Sequence, residues 1–267
     1  MRVIINADDF GLSDETVDAT IECFERGGLT SATIMVNMPA SERAMEHARA
    51  QQGPDAGFGV HLTYVREGDE TVERPVSPPE SIASLMDTDG RFLVSPTTRK
   101  RGLVGKVVPD EIAIESSAQI SRLRDAGVRV THVDSHGHLH KFPSFQRGLE
   151  SAIGEQRLPV RAVQDVYLSR PRKSPGYWLS KLWAPSLRRR FTTTDHMYMP
   201  TTTWDEDWVE PIMRWMRRRP ETETIEVGVH PGRGEAWRRK EFEQAIRFAD
   251  ACRERGHTLA SFAVLAG

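Results

Sequence analysis

The chain alternates short β-branched segments with longer amphipathic segments, and this alternation limits its possible folds more than any other feature. The first third of the sequence predicts strands at Arg2–Asn6, Ser31–Val36 and Gly57–Leu62, separated by helices at Asp14–Arg26 and Ser41–Gln51. The helical segments repeat apolar residues every three or four positions, whereas the strands are short, largely apolar runs. This order predicts repeated βα units around a largely parallel sheet.

The same alternation continues towards the C-terminus. Further helices are predicted at Asp110–Ala126, Phe145–Glu155, Asp205–Arg218 and Arg238–Arg255, and further strands at Val128–Val133, Val160–Val163, Thr224–Val229 and Thr258–Val264. Two stretches interrupt the pattern: a proline-bearing segment near 63–109, and a basic segment near 167–194 without clean periodicity. We therefore expect a barrel, complete or incomplete, in one catalytic domain spanning residues 1–267, with these two segments as rim insertions.

Composition and charge exclude several classes of protein. The 267 residues are 38% hydrophobic with a formal net charge of −2, which favours a globular fold and gives no global field towards nucleic acid or an anionic membrane. No apolar run approaches about 18 residues, and the apolar N-terminal stretch is too short for a signal peptide. Both cysteines, Cys23 and Cys252, lie in predicted helices and are expected to be buried and reduced. We expect a cytoplasmic protein without membrane insertion.

Acidic and histidine side chains follow several of the predicted strands. Asp8 and Asp9 come after the first strand, His61 ends the third, and His230 follows Thr224–Val229. In parallel βα folds the carboxyl ends of the strands meet at one rim, where catalytic groups collect. The sequence therefore predicts that these side chains converge.

A histidine cluster follows the strand predicted at Val128–Val133. Asp134, His136, His138 and His140 share parity, so extended backbone would place them on one side. Buried imidazoles and carboxylates need partners or a metal ion. Three histidines within five residues favour metal binding over the alternative of unrelated core or surface histidines.

The adjacent carboxylates of Asp8 and Asp9 suit a division of roles. An ordinary explanation would be a solvated turn or a helix N-cap, but Ser13 or Asp14 is the better cap for the following helix. One carboxylate could bind a cation while the other accepts a proton. A carboxylate with two histidines and open positions is typical of catalytic metal sites, and the ligand types allow zinc, cobalt, manganese, iron or magnesium.

Four segments, in this order, resemble the YdjC-like carbohydrate deacetylases, a family that includes chito-oligosaccharide deacetylases. They are NADDFGLS at Asn6–Ser13, GVHL at Gly59–Leu62, THVDSHGHLH at Thr131–His140 and VHP at Val229–Pro231. The resemblance implies an α/β fold, namely a distorted, TIM-like (β/α) barrel related to polysaccharide deacetylases. It also implies removal of an acetyl group from an N-acetylated sugar, and it is consistent with a homodimer.

The resemblance further implies roles for individual residues. It implies that Asp9, His61 and His136 bind one divalent metal ion, for which we favour magnesium or zinc. It makes Asp8 the general base and points to His230 as the general acid.

Other roles are left open by the sequence. His138 and His140 are alternatives for the acid, and we expect both of them, together with Phe10, to contact the substrate. We also expect Asp134 to orient a metal-binding histidine.

Competing interpretations remain at this stage. Two-metal phosphoesterases and amidohydrolases also place histidines and aspartates at strand ends, although they usually need more carboxylates. A carbohydrate-binding homologue without activity would be expected to lack the base or a ligand. The basic stretch Tyr167–Thr194 is either a solvated face or a recognition site for an anionic acceptor, such as a nucleotide-linked or lipid-phosphate-linked sugar.

Overall fold

The computed structural model describes residues 1–66, 74–168, 175–200 and 207–265, which form a curled, entirely parallel sheet surrounded by helices. Its strands are β1 (Arg2–Phe10), β2 (Ser31–Ile34), β3 (Gly57–Leu62), β4 (Val130–Ser135), β5 (His196–Tyr198), β6 (Thr224–Val229) and β7 (Thr258–Leu259). Their order is β4-β3-β2-β1-β6-β5, with β7 beside β1. The sheet is a half-barrel, and the prediction of an α/β fold of the distorted TIM-like type is confirmed.

Eight α-helices are described, and those between strands provide the parallel crossovers. They are α1 (Asp14–Glu25), α2 (Ser41–Gln51), α3 (Ser95–Leu103), α4 (Pro109–Asp125), α5 (Pro143–Ile153), α6 (Pro175–Arg190), α7 (Val209–Met216) and α8 (Ala236–Glu254). Helix α1 begins after Ser13, whose hydroxyl accepts a hydrogen bond from the Thr16 N–H at 3.2 Å. Of the two caps that the sequence allowed, Ser13 and Asp14, the structure has Ser13.

The core lies on both faces of the sheet. Successive residues of β1 are fully buried, including Val3, Ile4 and Ile5, as expected for a parallel strand covered on both sides. Cys23 on α1 and Cys252 on α8 are free thiols with no exposed surface, which confirms the prediction that they are buried. Burial raises the pKa of each thiol to about 12.

Both predicted insertions contain helical structure that the sequence pattern did not indicate. The 63–109 stretch includes 3-10 turns at Pro79–Leu85 as well as α3, and the 167–194 stretch includes α6. The buried carboxylate of Glu115, on α4, accepts hydrogen bonds from the backbone N–H groups of Val76 and Ser77, each at 2.9 Å. This buried acid fixes residues 76 and 77 of the first insertion against α4.

Residues 159–166, which we call the closing segment, lie between the two edge strands of the half-barrel. On one side the Arg161 N–H donates to the Val133 carbonyl of β4 at 3.0 Å. On the other side the Val166 N–H donates to the Met197 carbonyl of β5 at 3.2 Å. The strand predicted at Val160–Val163 is thus reduced to a single bridge with Val133, although it lies in a strand-like position.

Other element boundaries also differ from the predictions. The last predicted strand, Thr258–Val264, is a strand only at Thr258–Leu259 and continues as a 3-10 turn at Phe262–Leu265. The helix predicted over Asp205–Arg218 begins at Val209, and residues 205 and 206 lie outside the described residues. Within the described ranges, every helix is too short or too polar to cross a bilayer.

Candidate active site

A bulge in β1 directs two neighbouring carboxylates into one cavity. In a regular strand Asp8 and Asp9 would point to opposite faces. The pairing of β1 with β2 changes register here: Ala7 faces Ala32 but Phe10 faces Ile34, so β1 contains one extra residue. Asp9 adopts a left-handed φ of 59°, which aspartate tolerates better than most residues. The bulge allows both Asp8 and Asp9 to line the same cavity.

Asp9, His61 and His136 form a compact set at the carboxyl ends of β1, β3 and β4. The Asp9 Oδ1 atom lies 3.1 Å from His136 Nδ1 and 3.4 Å from His61 Nε2. Ligands about 2.1 Å from a metal, at tetrahedral or octahedral angles, lie about 3.0–3.4 Å apart. The spacing and the ligand types of this set therefore fit a divalent cation.

In the structure these contacts lie at hydrogen-bonding distance. Burial acts to raise the pKa of Asp9, but the hydrogen bonds from His136 and His61 outweigh it and hold that pKa well below its ordinary value. The ring nitrogens of His136 and His61 thus point at Asp9 Oδ1, the oxygen that a cation would bind.

Asp134 orients the His61 ring. The His61 Nδ1 atom lies 2.7 Å from Asp134 Oδ1, which directs Nε2 towards Asp9. The Thr33 hydroxyl donates to the second oxygen of Asp134 at 3.1 Å. Burial acts to lower the pKa of His61. The Asp134 carboxylate outweighs this effect and raises the pKa of the ring to about 9. The contact that we expected for Asp134 is present.

Asp8 forms a bidentate ion pair with a buried arginine. Arg161 Nη1 and Nη2 donate to the two carboxylate oxygens of Asp8, each at 2.6 Å, and the Asn6 amide donates to Oδ1 at 3.0 Å. Burial acts to raise the pKa of Asp8, yet Arg161 outweighs it and lowers that pKa below its ordinary value. Asp8 is therefore ionised across the neutral range.

Arg161 also contacts two further carboxylates. Its Nη1 lies 2.8 Å from Asp134 Oδ2, and its Nε donates to Glu226 Oε1 at 2.7 Å. Burial raises the pKa of Glu226 to about 7, although Arg161 acts against this shift. The guanidinium thus joins Asp8 to the carboxylate that orients His61.

Arg161 was not among the predicted site residues. An arginine inside a segment predicted as a buried strand needs buried partners, and that was the available signal. The partners themselves come from other strands and could not be named from the sequence.

His230, which follows β6, faces Asp8 from the other side of the cavity. Its Nε2 lies 3.8 Å from Asp8 Oδ2. Its Nδ1 and its backbone N–H both contact Glu241 Oε2 on α8, at 3.1 and 2.7 Å. Burial acts to lower the pKa of His230, but the Glu241 carboxylate outweighs it and raises that pKa above its ordinary value. The structure thus presents Nε2 to the cavity.

These side chains line a cavity of about 400 Å³, within the size range of small-molecule sites. Asp8, Asp9, His61, His136, His138 and His230 all contribute to its wall, together with Arg99, Met199, Trp237 and Arg238. Arg238 was not predicted, and it donates to Asp9 Oδ2 at 2.7 Å. Asp9 therefore directs one oxygen to Arg238 and the other to the two histidines.

The segment after β4 departs from the extended backbone on which our parity argument rested. Strand β4 ends at Ser135, and His136–Lys141 forms a 3-10 turn in which Gly137 and His138 have left-handed φ values of 61° and 54°. His136 and His138 line the cavity whereas His140 does not, so the prediction that all three histidines share one side is wrong. Of the three, only His136 joins Asp9 and His61 in the set that could hold a metal ion.

The turn separates His138 from His140. His138 lines the cavity, and its Nε2 lies 3.2 Å from Met199 Sδ. His140 is buried outside the cavity lining, with Nδ1 2.8 Å from the Ser135 hydroxyl. Burial, reinforced by the positive charge of Arg161, lowers the pKa of both rings well below the ordinary value.

Phe10, which we expected to contact substrate, lies in the core. Its ring packs 6.0 Å from His47 and 6.5 Å from Phe58, on the helix-covered side of the sheet. The bulge that turns Asp8 and Asp9 inward leaves Phe10 on this outer side. The structure thus places neither Phe10 nor His140 in the cavity, and we revise both expected substrate contacts.

The fold and the site define a class of protein: an α/β half-barrel with a carboxylate–histidine site that fits a divalent cation. The sequence profile of the family described as YdjC-like protein matches residues 2–263, and the chain belongs to that family.

Relatives agree with this assignment. The chain is 38% identical to a carbohydrate deacetylase of Brevibacillus brevis over 60% of its own length, and 36% identical to one of Geobacillus stearothermophilus over 64%. These alignments span 59% and 62% of the two relatives, which is less than two thirds of their length. A crystal structure from Enterococcus faecalis, named as a candidate cellobiose-phosphate cleavage protein, has a TM-score of 0.78 at 28% identity and covers 99% of this chain and 98% of its own.

Proposed function

We propose that this chain is a metal-dependent hydrolase that removes an N-acetyl group from an amino sugar or its oligosaccharide or glycoconjugate. The observation on which the proposal rests is the convergence of Asp8 and His230 beside the Asp9, His61 and His136 set in one cavity. The carbohydrate deacetylases among its relatives support the same reaction.

In this proposal the metal ion has three protein ligands and two chemical tasks. Asp9, His61 and His136 would hold it, and when bound it would polarise the acetamide carbonyl and lower the pKa of water. Asp134 and Arg238 keep two of the ligands in place through hydrogen bonds to His61 and Asp9. These two hydrogen bonds fix the direction in which the metal-facing atoms of His61 and Asp9 point.

Asp8 would act as the general base. Its carboxylate remains ionised because of Arg161, and it lies next to the metal-binding set without belonging to it. It would accept a proton from the water that attacks the acetyl carbon. The fixed bidentate pair holds the carboxylate in one orientation for this transfer.

His230 would donate a proton to the leaving amine. The Glu241 carboxylate raises the pKa of His230, which favours the protonated form that a general acid needs. His138, the alternative acid in the cavity, contacts Met199 rather than a carboxylate. The geometry therefore favours His230, and the products are acetate and a free amino sugar.

A two-metal phosphoesterase is the less favoured alternative. A second candidate set of metal ligands consists of Asp8, His61 and Asp134, which also lie close together. However, Arg161 contacts the carboxylates of Asp8 and Asp134 at 2.6 and 2.8 Å, and its positive charge occupies the space that a second cation would need. We therefore expect one metal ion per chain.

The test is acetate release from N-acetylglucosamine oligomers and from phosphate-bearing N-acetyl sugars. The phosphorylated substrates are included because a structural relative was named for cellobiose-phosphate cleavage. We expect release with magnesium or zinc, its loss with a chelator, and its recovery on adding metal. Absence of acetate release from every such sugar would contradict the proposal. Two metal ions per chain, with hydrolysis of phosphate esters, would favour the alternative.

A further inference from the structure

Helix α6 directs large apolar side chains away from the protein. Trp178 is 61% exposed and Leu182 is 71% exposed, one helical turn apart. The opposite side of the helix is buried through Tyr177, Ser180 and Leu187. Trp178 contacts the edge of the Tyr177 ring with 5.2 Å between centroids, yet most of the surface of Trp178 and Leu182 remains exposed.

The outer side of α6 is also basic. Helix α6 contains Lys181, Arg188, Arg189 and Arg190 and no aspartate or glutamate, in a chain whose net charge is −2. Lys181 lies between Trp178 and Leu182 in sequence and is exposed, with its ammonium 4.9 Å from the Tyr177 ring. Arg190 pairs with Glu150, whereas Arg189 has no ion pair among the residues that the structure describes.

A second exposed apolar pair adjoins the same part of the protein. Leu103 and Val104, at the end of α3, are 51% and 59% exposed. A Cβ at the neighbouring Gly102 would lie 3.3 Å from Phe142, and Trp183 of α6 packs on Phe142 with 4.9 Å between ring centroids. Phe142 therefore lies against both α3 and α6. We call Trp178, Lys181, Leu182 and Arg189, with Leu103 and Val104, the basic apolar face.

We propose that the basic apolar face binds the surface of an anionic lipid bilayer. Exposed tryptophan and leucine on a basic helix are typical of segments that lie in the headgroup region, where the apolar side chains are buried and the cations meet anionic headgroups. Binding of a second copy of the chain suits the charge less well. A two-fold interface built on this face would bring the cations of one copy close to those of the other.

The location of this face has a consequence for substrate. Helix α6 packs against the His136–Lys141 turn, whose His136 and His138 line the cavity. A bilayer bound at the basic apolar face would therefore lie beside the cavity and bring lipid-anchored amino sugars close to it. This consequence rests on the proposed deacetylation, but bilayer binding itself does not.

The test is cosedimentation of the full chain with vesicles. We expect binding to vesicles that contain phosphatidylglycerol, much weaker binding to phosphatidylcholine alone, and loss of binding at high salt. The Lys181→Gln/Arg189→Gln variant should bind about 25-fold more weakly, because each basic residue near an anionic surface contributes about five-fold. The Trp178→Ser/Leu182→Ser variant should bind at least about ten-fold more weakly.

Matched controls lie elsewhere on the surface. Ile114→Ser removes an apolar side chain that is 44% exposed on α4, and Arg214→Gln/Arg218→Gln makes the same charge change at α7. Both controls should bind vesicles like the wild type. Absence of binding to anionic vesicles, or equal losses in the controls, would overturn the inference. A dimer in sedimentation equilibrium that Trp178→Ser/Leu182→Ser dissociates, without vesicle binding, would identify a second copy as the occupant. Because vesicle binding needs no turnover, the result is independent of the deacetylation proposal.

Discussion

The Glu241→Gln substitution tests the assignment of the general acid. Glu241 Oε2 accepts from the His230 backbone N–H at 2.7 Å and lies 3.1 Å from Nδ1, and glutamine retains a carbonyl oxygen for both contacts while removing the charge. The pKa of His230 should fall, because the carboxylate raises it in the wild type. Since a general acid acts in its protonated form, the alkaline limb of the activity profile should move to lower pH.

The size of the shift follows from the distance and the burial. With charge centres about 4 Å apart and an effective dielectric constant of about 20, Coulomb's law gives about 4 kcal/mol as an upper limit. Opposite charges at this range usually change a pKa by about 1–3 units. Asp8 and Asp9 also raise the pKa of His230 and are unchanged in the variant. We therefore expect the pKa that defines the alkaline limb of the kcat/KM profile to fall by about 1–2 units.

The assay is acetate release as a function of pH for the wild type and Glu241→Gln at saturating metal. Glu243→Gln, an exposed carboxylate on the same helix, is the matched control and should leave the profile unchanged. Unfolding by urea gives a readout that does not depend on catalysis. The raised pKa of His230 increases the free energy of unfolding at pH values below the unfolded-state pKa of about 6.5. This added stability is lost as the pH rises through the folded-state pKa of His230. An alkaline limb that stays in place in Glu241→Gln would refute the role assigned to the His230–Glu241 pair.

Three other substitutions test the remaining assignments. Asp8→Asn should reduce kcat by about 10²–10⁴-fold with unchanged metal content, and near-normal turnover would remove Asp8 from the role of base. His136→Ala should lower the metal content found by elemental analysis, whereas full occupancy would exclude His136 as a ligand. Arg161→Met should destabilise the protein to urea by about 3–5 kcal/mol, because it leaves buried carboxylates without their cation. A loss below about 1 kcal/mol would show that their charges are balanced in another way.

The sequence predicts the fold and the rim of the site because both depend on local patterns. Gly57–Leu62 and Thr224–Val229 are apolar runs that match β3 and β6 at both ends. Helix α2 likewise matches its prediction over Ser41–Gln51. Because all the strands are parallel, the residues after them meet at one edge, and the grouping of Asp9 with His61 and His136 follows from that rule.

The remaining features depend on geometry that the pattern does not contain. The extra residue in β1 is defined only by its pairing with β2, so the shared direction of Asp8 and Asp9 is not visible in the sequence. The turn at Gly137 and His138 interrupts the expected alternation. Arg161 and Glu241 are distant from the motifs in sequence, and only the tertiary fold brings them to Asp8 and His230.

The closing segment connects the catalytic chemistry to the architecture of the half-barrel. Residues 159–166 reach β4 and β5 through a few backbone hydrogen bonds, and Arg161 anchors the same segment from within through Asp8, Asp134 and Glu226. A substitution of Asp8 would therefore alter both the proton transfer that we propose for it and the anchoring of the segment that joins the two sheet edges. Amide hydrogen exchange within residues 159–166 would distinguish a purely chemical loss of rate from a loosened joint between these edges.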